Sequence, residues 1–262
     1  MIKQLTMLPF EREQHPFNIP SLQHLKTIEF DRPITIFVGD NGSGKSTLLK
    51  AIAYYNNSIN VAKQSIDDAY YQDAKDLAKH MRLSYDVKTR QGFFFSGEDF
   101  ITYINRLKEM KQGLQLDLNQ MEDEFKDKSD YVKGLALGPI RKELYELQHT
   151  YDGELNERSH GEGFLTFFKA RMHQTGLYLL DEPETPLSAI NQYQLMVLLT
   201  DLARSGSQII LATHSPILMA LPNSHIYQFD NDGIHSIDYE DIETVQFTKH
   251  FLNDPDNYTR RI

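Results

Sequence analysis

Among its 262 residues the sequence has no cysteine and no tryptophan. Lack of cysteine removes any disulfide framework and any thiolate metal site, and suits the cytoplasm. Long apolar runs are missing too. Runs such as Ile34–Val38, broken by its Thr, fall far short of the ~20 residues that span a bilayer. A transport role would therefore require a separate membrane subunit. The opening "MIKQLTMLPFERE" shows no apolar h-region of a secretory signal. Basic charge is scarce: 27 Lys and Arg stand against 37 Asp and Glu, a formal net charge of −10. Global electrostatics gives nucleic-acid binding no support. There is no internal repeat, no low-complexity linker, and no N-K-x-D guanine motif of a GTPase.

What is present is ordinary globular composition, 40% apolar and 24% charged, enough for one domain over 1–262 with a substantial core. "RPITIFVG" (32–39) reads as a buried strand closed by glycine, and "SGKSTLLKAIAYY" (43–55) as a helix burying Leu48, Leu49, Ile52 and Ala53. "GFFFSG" (92–97), "GLYLLDEP" (176–183) and "QIILATHSP" (208–216) read as further strands. Runs apolar on both faces suit parallel strands covered by helices, so the fold class is α/β with a mainly parallel central sheet. Between 98 and 158 the pattern is that of a helical subdomain. Ile104, Leu107, Lys111, Leu114, Leu118, Met121 and Phe125 recur every three or four residues, with Lys111 the polar intruder. Gly134, Gly138 and Pro139 then predict a break before a returning helix at 140–151. Packing on that helix is favoured over a dimerising coiled coil, because three heptads are few. "IYQFDNDGIHSIDY" (226–239) predicts a hairpin turning at Asn231–Gly233, with a polar helix after it.

Gly39-Asp40-Asn41-Gly42-Ser43-Gly44-Lys45-Ser46 fits G-x-x-x-x-G-K-[ST] between that strand and that helix, the context which phosphate binding demands. The glycines let the backbone wrap a polyphosphate and aim N–H groups at it. Lys45 is placed to reach the β- and γ-phosphates, Ser46 to bind Mg²⁺, and Thr47 to add a contact nearer the α-phosphate.

Asp181 and Glu182 end a buried strand, where α/β sheets hold their ligands. Asp181 suits the Mg²⁺ shell and Glu182 suits polarising the attacking water. Pro183 fixes the turn after them. His214, at the end of another apolar strand, is a structural residue if read alone. Beside the carboxylate strand it becomes a candidate contact to the γ-phosphate and the water.

In this order the motifs resemble the ATP-binding-cassette ATPases: phosphate loop, aromatic strand with helical insert, signature-like Ser159-His160-Gly161-Glu162, Asp181-Glu182-Pro183, then His214. The resemblance covers nearly the whole chain. "ATHSP" (212–216) and the short signature look more like the soluble SMC/RecF/OLD branch, and like small stand-alone bacterial AAA/ABC-like ATPases, than like transporter subunits. It implies a P-loop NTPase core that uses ATP and Mg²⁺. It also implies an ATP-dependent head-to-tail homodimer in which Ser159 and Gly161 contact the other subunit's γ-phosphate and "TPLSA" (185–189) crosses the interface.

Some positions depart from the family pattern. Arg158 and His160 stand where leucine and glycine are usual. The glutamine expected after the aromatic strand is replaced by Glu98, with Gln91 before the strand as the other candidate. Phe17 is either an adenine-stacking ring or a packing residue. The function expected is a soluble Mg²⁺-dependent ATPase coupled to an unknown protein partner. The alternatives are the ATP-binding subunit of an ABC transporter and a DNA repair or defence ATPase.

Overall fold

The computed structural model describes residues 1–10, 14–60, 71–149, 160–172 and 175–260, with the backbone alone for 103, 107, 147–149 and 160–163. The chain opens with β1 (Ile2–Met7), α1 (Pro20–Gln23), β2 (Thr27–Glu29), β3 (Ile34–Gly39) and α2 (Lys45–Tyr55). It continues through α3 (Gln72–Lys79), β4 (Met81–Tyr85), β5 (Gly92–Ser96), α4 (Gly97–Glu124), α5 (Asp130–His149) and α6 (His160–Arg171). Then follow β6 (Leu177–Asp181), α7 (Ala189–Arg204), β7 (Gln208–Ala212), α8 (Pro216–Met219), β8 (Ser224–Asp230) and β9 (Gly233–Ser236). Two helices, α9 (Glu243–Asn253) and α10 (Pro255–Thr259), close it.

The central sheet runs β5-β6-β7-β3-β8-β9, parallel except for the β8–β9 hairpin. Alternation along the strands feeds two cores. Ile34, Ile36, Val38, Tyr178, Leu180, Ile209 and Leu211 face α6, α7 and α8, whereas Phe37, Leu179 and Ile210 face α2 and α3. Burial of both faces explains the near-continuous apolar strands. A fully buried Leu or Phe among them contributes ~1.5–3 kcal/mol.

A second, antiparallel sheet, β2-β1-β4, lies in the α2–α3 layer and buries Ile2, Leu5, Met7, Ile28, Met81 and Leu83. The sequence reading missed it, because its strands are short and pair at long range. Side chains stitch the two sheets together, among them Tyr227 of β8, whose Oη donates to Glu29 O of β2 at 2.9 Å. Buried Gln208, at the start of β7, accepts from Ile2 N–H and donates to Ile2 O, both at 2.7 Å.

The helical stretch is an antiparallel pair. Leu114, Leu118 and Met121 of α4 pack against Leu137, Ile140 and Leu144 of α5 in a small core of their own, with Arg141–Glu122 at 2.8 Å beside it. The predicted break at Gly134, Gly138 and Pro139 does not occur; α5 runs through all three. Pro139 removes only the N–H that would reach the Leu135 carbonyl, and Leu135 lies on the exposed side of the helix. The strand predicted over 208–216 also stops early, at Ala212, and Thr213–Ser215 form the connection to α8. The hairpin turns at Asn231-Asp232, as its sequence predicts. No helix among the described residues is long and apolar enough to cross a membrane.

Candidate functional site

The phosphate-loop sequence folds at the C-terminal end of β3. Gly39 leaves the strand at φ +141°, and a Cβ there would meet the Phe229 carbonyl at 2.3 Å, so only glycine fits. Asp40–Ser43 form the turn, and Gly44 sits at the N-cap of α2 with φ 97° and no capping side chain. Among the described residues no side-chain cap therefore closes the start of α2, which suits an anion. Lys45, only 4% exposed, folds back over the turn. Its ammonium donates to Gly39 O and Asp40 O at 2.8 Å each and approaches Ser43 Oγ at 3.4 Å. Burial holds its pKa down, while Glu182, Asp181, Asp40 and Glu184 push it up. Thr47 lies half-buried in the same first turn.

From the next residue of the loop, Ser46 Oγ donates to Asp181 Oδ1 at 2.7 Å. A hydroxyl and a carboxylate sharing one point are a hard-oxygen pair, the donor set that suits Mg²⁺ alongside phosphate oxygens. Among the described residues no cluster of three or more His, Cys, Asp or Glu forms a separate metal site. Asp181 is 5% exposed at the end of β6. Burial pushes its carboxyl up to about 6, against the Lys50 charge and the Ser46 hydrogen bond.

Glu182 lies just past the strand in left-handed backbone, φ 47°, a conformation costly for a residue with a Cβ. The surroundings fix it. Its N–H donates to Ala212 O at 2.9 Å, and its carbonyl accepts from Thr185 N and Thr185 Oγ1. Gly97, the first residue of α4, presses on the same carbonyl; a Cβ there would stand 2.4 Å from it. The Glu182 carboxylate, 43% exposed, faces His214, with Oε1 to Nε2 at 3.7 Å. Nε2 itself is buried and has no hydrogen-bond partner among the described residues. Burial and the Lys45 charge lower the His214 pKa against the pull of Glu182 and Asp40, which favours the neutral ring.

Lys45, Ser46, Asp181, Glu182 and His214 therefore meet at the C-terminal ends of β3, β6 and β7. A cation is positioned for a polyphosphate, an oxygen pair for a divalent ion, and a half-exposed carboxylate beside a neutral imidazole for an attacking water.

Other predicted positions do not join this group. Gln91 precedes β5 and lines a cavity of about 570 Å³ with Asn57, Ile59, Lys88 and Arg90, at the far end of the strand from Asp181. Strand direction thus removes it from metal contact. Glu98 is exposed in the first turn of α4, one residue after Gly97, at the end of β5 that pairs Ser96 with Asp181. Phe17 packs on Phe10 (4.8 Å) and His80 (5.0 Å), its packing alternative. Arg158 and Ser159 lie outside the described residues, and His160 and Gly161 are described only as backbone in the first turn of α6.

Three groups were missed. Asp99 is buried beside the site, with Oδ2 accepting from Tyr71 Oη at 2.7 Å, and Tyr71 Oη accepting in turn from Asn60 Nδ2 at 2.8 Å. Glu184 is half-buried against Thr213 and His214. The third is Gly97. For Asp99 and Glu184 the available signal was a carboxylate following a strand end. A cavity of about 340 Å³ at the other end of β3 contains Arg32, His225 and Ser236. There His225 bridges Asp31 (2.7 Å) and Ser236 (3.0 Å), which occupies both ring nitrogens.

Comparison with known proteins finds ATPase families and ATP-binding proteins among the similar sequences. A family described as "AAA domain" matches residues 17–130, and one described as "AAA ATPase domain" matches residues 95–219. The chain is 28% identical over 194 residues to a hemin import ATP-binding protein of Aliivibrio fischeri, covering 71% of this chain and 66% of that protein. It is 25% identical over 225 residues to an uncharacterized ABC transporter ATP-binding protein of Methanocaldococcus jannaschii, covering 83% and 80%. Against the first relatives it spans about two thirds of their length, 66% and 68%. A solved Smc head domain of Pyrococcus furiosus, bound to the C-terminal domain of ScpA, covers 97% of this chain and 99% of its own at 13% identity, with a TM-score of 0.44.

Proposed function

We propose that this chain, an AAA/ABC-type ATPase with a P-loop NTPase fold, hydrolyses ATP with Mg²⁺ as a head-to-tail dimer and passes the resulting motion to a protein partner. The observation that supports it most is the Ser46–Asp181 contact of 2.7 Å with Glu182 and His214 beside it. In this reading the uncapped start of α2 and Lys45 hold the phosphates of ATP. Ser46 and Asp181 would hold Mg²⁺, which would supply charge neutralisation to the phosphates. Glu182 takes the proton of a water as its oxygen bonds to the γ-phosphorus and the bond to the ADP oxygen breaks. His214, neutral, orients that water through Nε2.

Ser159 and Gly161 complete the second subunit's site, and residues 185–189 cross between subunits. ATP then favours the closed dimer because its γ-phosphate contacts both chains. The test is Glu182→Gln, which keeps the shape and loses the base. Light scattering at saturating ATP is expected to give a dimer and no turnover; a monomer under those conditions overturns the sandwich.

A second reading is favoured by the names of the relatives, several of which are import ATP-binding proteins. Here the chain is the ATP-binding subunit of a transporter. Co-purification with a membrane protein from the native cell distinguishes it.

A further inference from the structure

Glu184 takes no part in the reaction just described, yet it is held as tightly as the residues that do. Its Oε1 accepts from Thr213 Oγ1 at 2.7 Å and from the His214 backbone N–H at 2.6 Å. Its Oε2 is buried, with no hydrogen-bond partner among the described residues. Enclosing a carboxylate that is only half satisfied is unfavourable, and burial accordingly pushes its carboxyl above the usual range against those same hydrogen bonds. On a turn after a strand, the same side chain could have remained in water.

Both donors lie just before the α-carbon of His214 and hold the backbone that leads into that residue. More contacts extend the frame. Ser215 N–H donates to Thr213 Oγ1 at 3.0 Å, Ser215 Oγ donates to Gln192 Oε1 at 2.7 Å, and Gln192 Nε2 donates to Leu187 O at 3.0 Å. Glu182 N–H closes it from the other side, on Ala212 O. The β6–α7 and β7–α8 connections are thus tied together, and Glu182 and His214 project from that single unit.

We propose that Glu184 is a positioning residue for hydrolysis, its carboxylate fixing the His214 imidazole against Glu182 by way of the Thr213 hydroxyl and the His214 amide. This rests on the reading that Glu182 and His214 serve ATP hydrolysis. A carboxylate that merely filled space would affect stability, with no separate effect on kcat and no recovery by an isosteric acceptor.

The experiment compares Glu184→Ala and Glu184→Gln by steady-state turnover of Mg-ATP and by NMR signals of the His214 amide and ring. A reacting group displaced by about 1 Å loses roughly 100-fold in rate. Glu184→Ala is therefore expected to lower kcat about 100-fold while KM changes less than about threefold, with both His214 signals shifted. Glu184→Gln keeps an oxygen of equal reach and is expected to recover most of kcat and the native ring signal. A normal kcat in the alanine variant, or a glutamine variant as impaired as alanine, overturns the proposal.

If Glu184→Ala does not fold, Thr213→Val removes one of the two donors. It is expected to lower kcat about tenfold and move the ring signal; an unchanged kcat overturns the proposal. If the wild-type protein shows no turnover, the hydrolysis reading has failed. The His214 ring signal still separates the two, since a ring unmoved in Glu184→Ala refutes positioning by itself.

Discussion

Ser46 and Asp181, distant in sequence, meet at 2.7 Å through a hydroxyl donating to a carboxylate. The carboxylate is enclosed, and burial raises its pKa from 3.8 to about 6. A group whose folded pKa lies above its unfolded one stabilises the fold in its protonated form. That contribution is fully present below about pH 4 and is lost as pH rises through about 6. The difference corresponds to ~3 kcal/mol. Asp181→Asn is therefore expected to unfold at higher denaturant than wild type at pH 8, by up to that amount, and to show little gain at pH 4. Chemical denaturation at the two pH values checks it; Mg-dependent turnover should vanish in the same variant.

Gly97 and Gly113 both lie in α4, yet their surroundings oppose each other. A Cβ at Gly97 meets the Glu182 carbonyl at 2.4 Å, whereas nothing lies within 4 Å of one at Gly113. Gly97→Ala is expected to cost about 1–3 kcal/mol and to lower turnover further by shifting the Glu182 turn. Gly113→Ala is expected to stabilise by about 0.5–1 kcal/mol with turnover unchanged. Thermal unfolding and ATPase rates of the pair decide the matter.

Tyr71 Oη links Asn60 to Asp99 beside the site. Tyr71→Phe deprives a buried carboxylate oxygen of that donor, at a cost of about 1–3 kcal/mol. Asp99→Asn in the same background should recover only part of the loss. A double-mutant cycle measured by denaturation tests the coupling.

Asp31 supports the other end of the sheet. Its hydrogen bond to His225 is the largest cause holding its carboxyl below the usual carboxylate range. The sign is opposite to that at Asp181: the stabilisation is present above the unfolded pKa and fades as pH falls through the lower folded value. The side chain is 55% exposed, so the effect is modest and screened by salt. Asp31→Asn is expected to flatten the acid side of the stability profile without changing turnover.

The phosphate loop was legible because its whole mechanism is local: strand, turn and helix are adjacent in sequence. Asp181 and His214 were legible because each ends an apolar strand, and parallel strands bring their ends together. Nothing local marked Ile2–Met7 as a strand, since its partners are Thr27–Glu29 and Met81–Tyr85. Glu184 was visible as a residue but not as a hydrogen-bonded, half-buried one, because the groups that hold it, Thr213 and His214, come from another strand end. Gln91 and Glu98 could be separated only by the direction of β5. Pro139 misled for the opposite reason: a strong local signal was overruled by the packing of Leu137, Ile140 and Leu144 on α4.

The amide of Gln208 gives the molecule an order in time. The group that satisfies the Ile2 backbone within the core lies 206 residues further along the chain and is synthesised that much later. Contacts of such separation form late, so on a growing chain the Ile2 backbone goes without these two bonds until β7 has emerged. The N-terminal strand is thus a late clasp, and replacing Gln208 is expected to reduce yield during synthesis more than it weakens the finished protein.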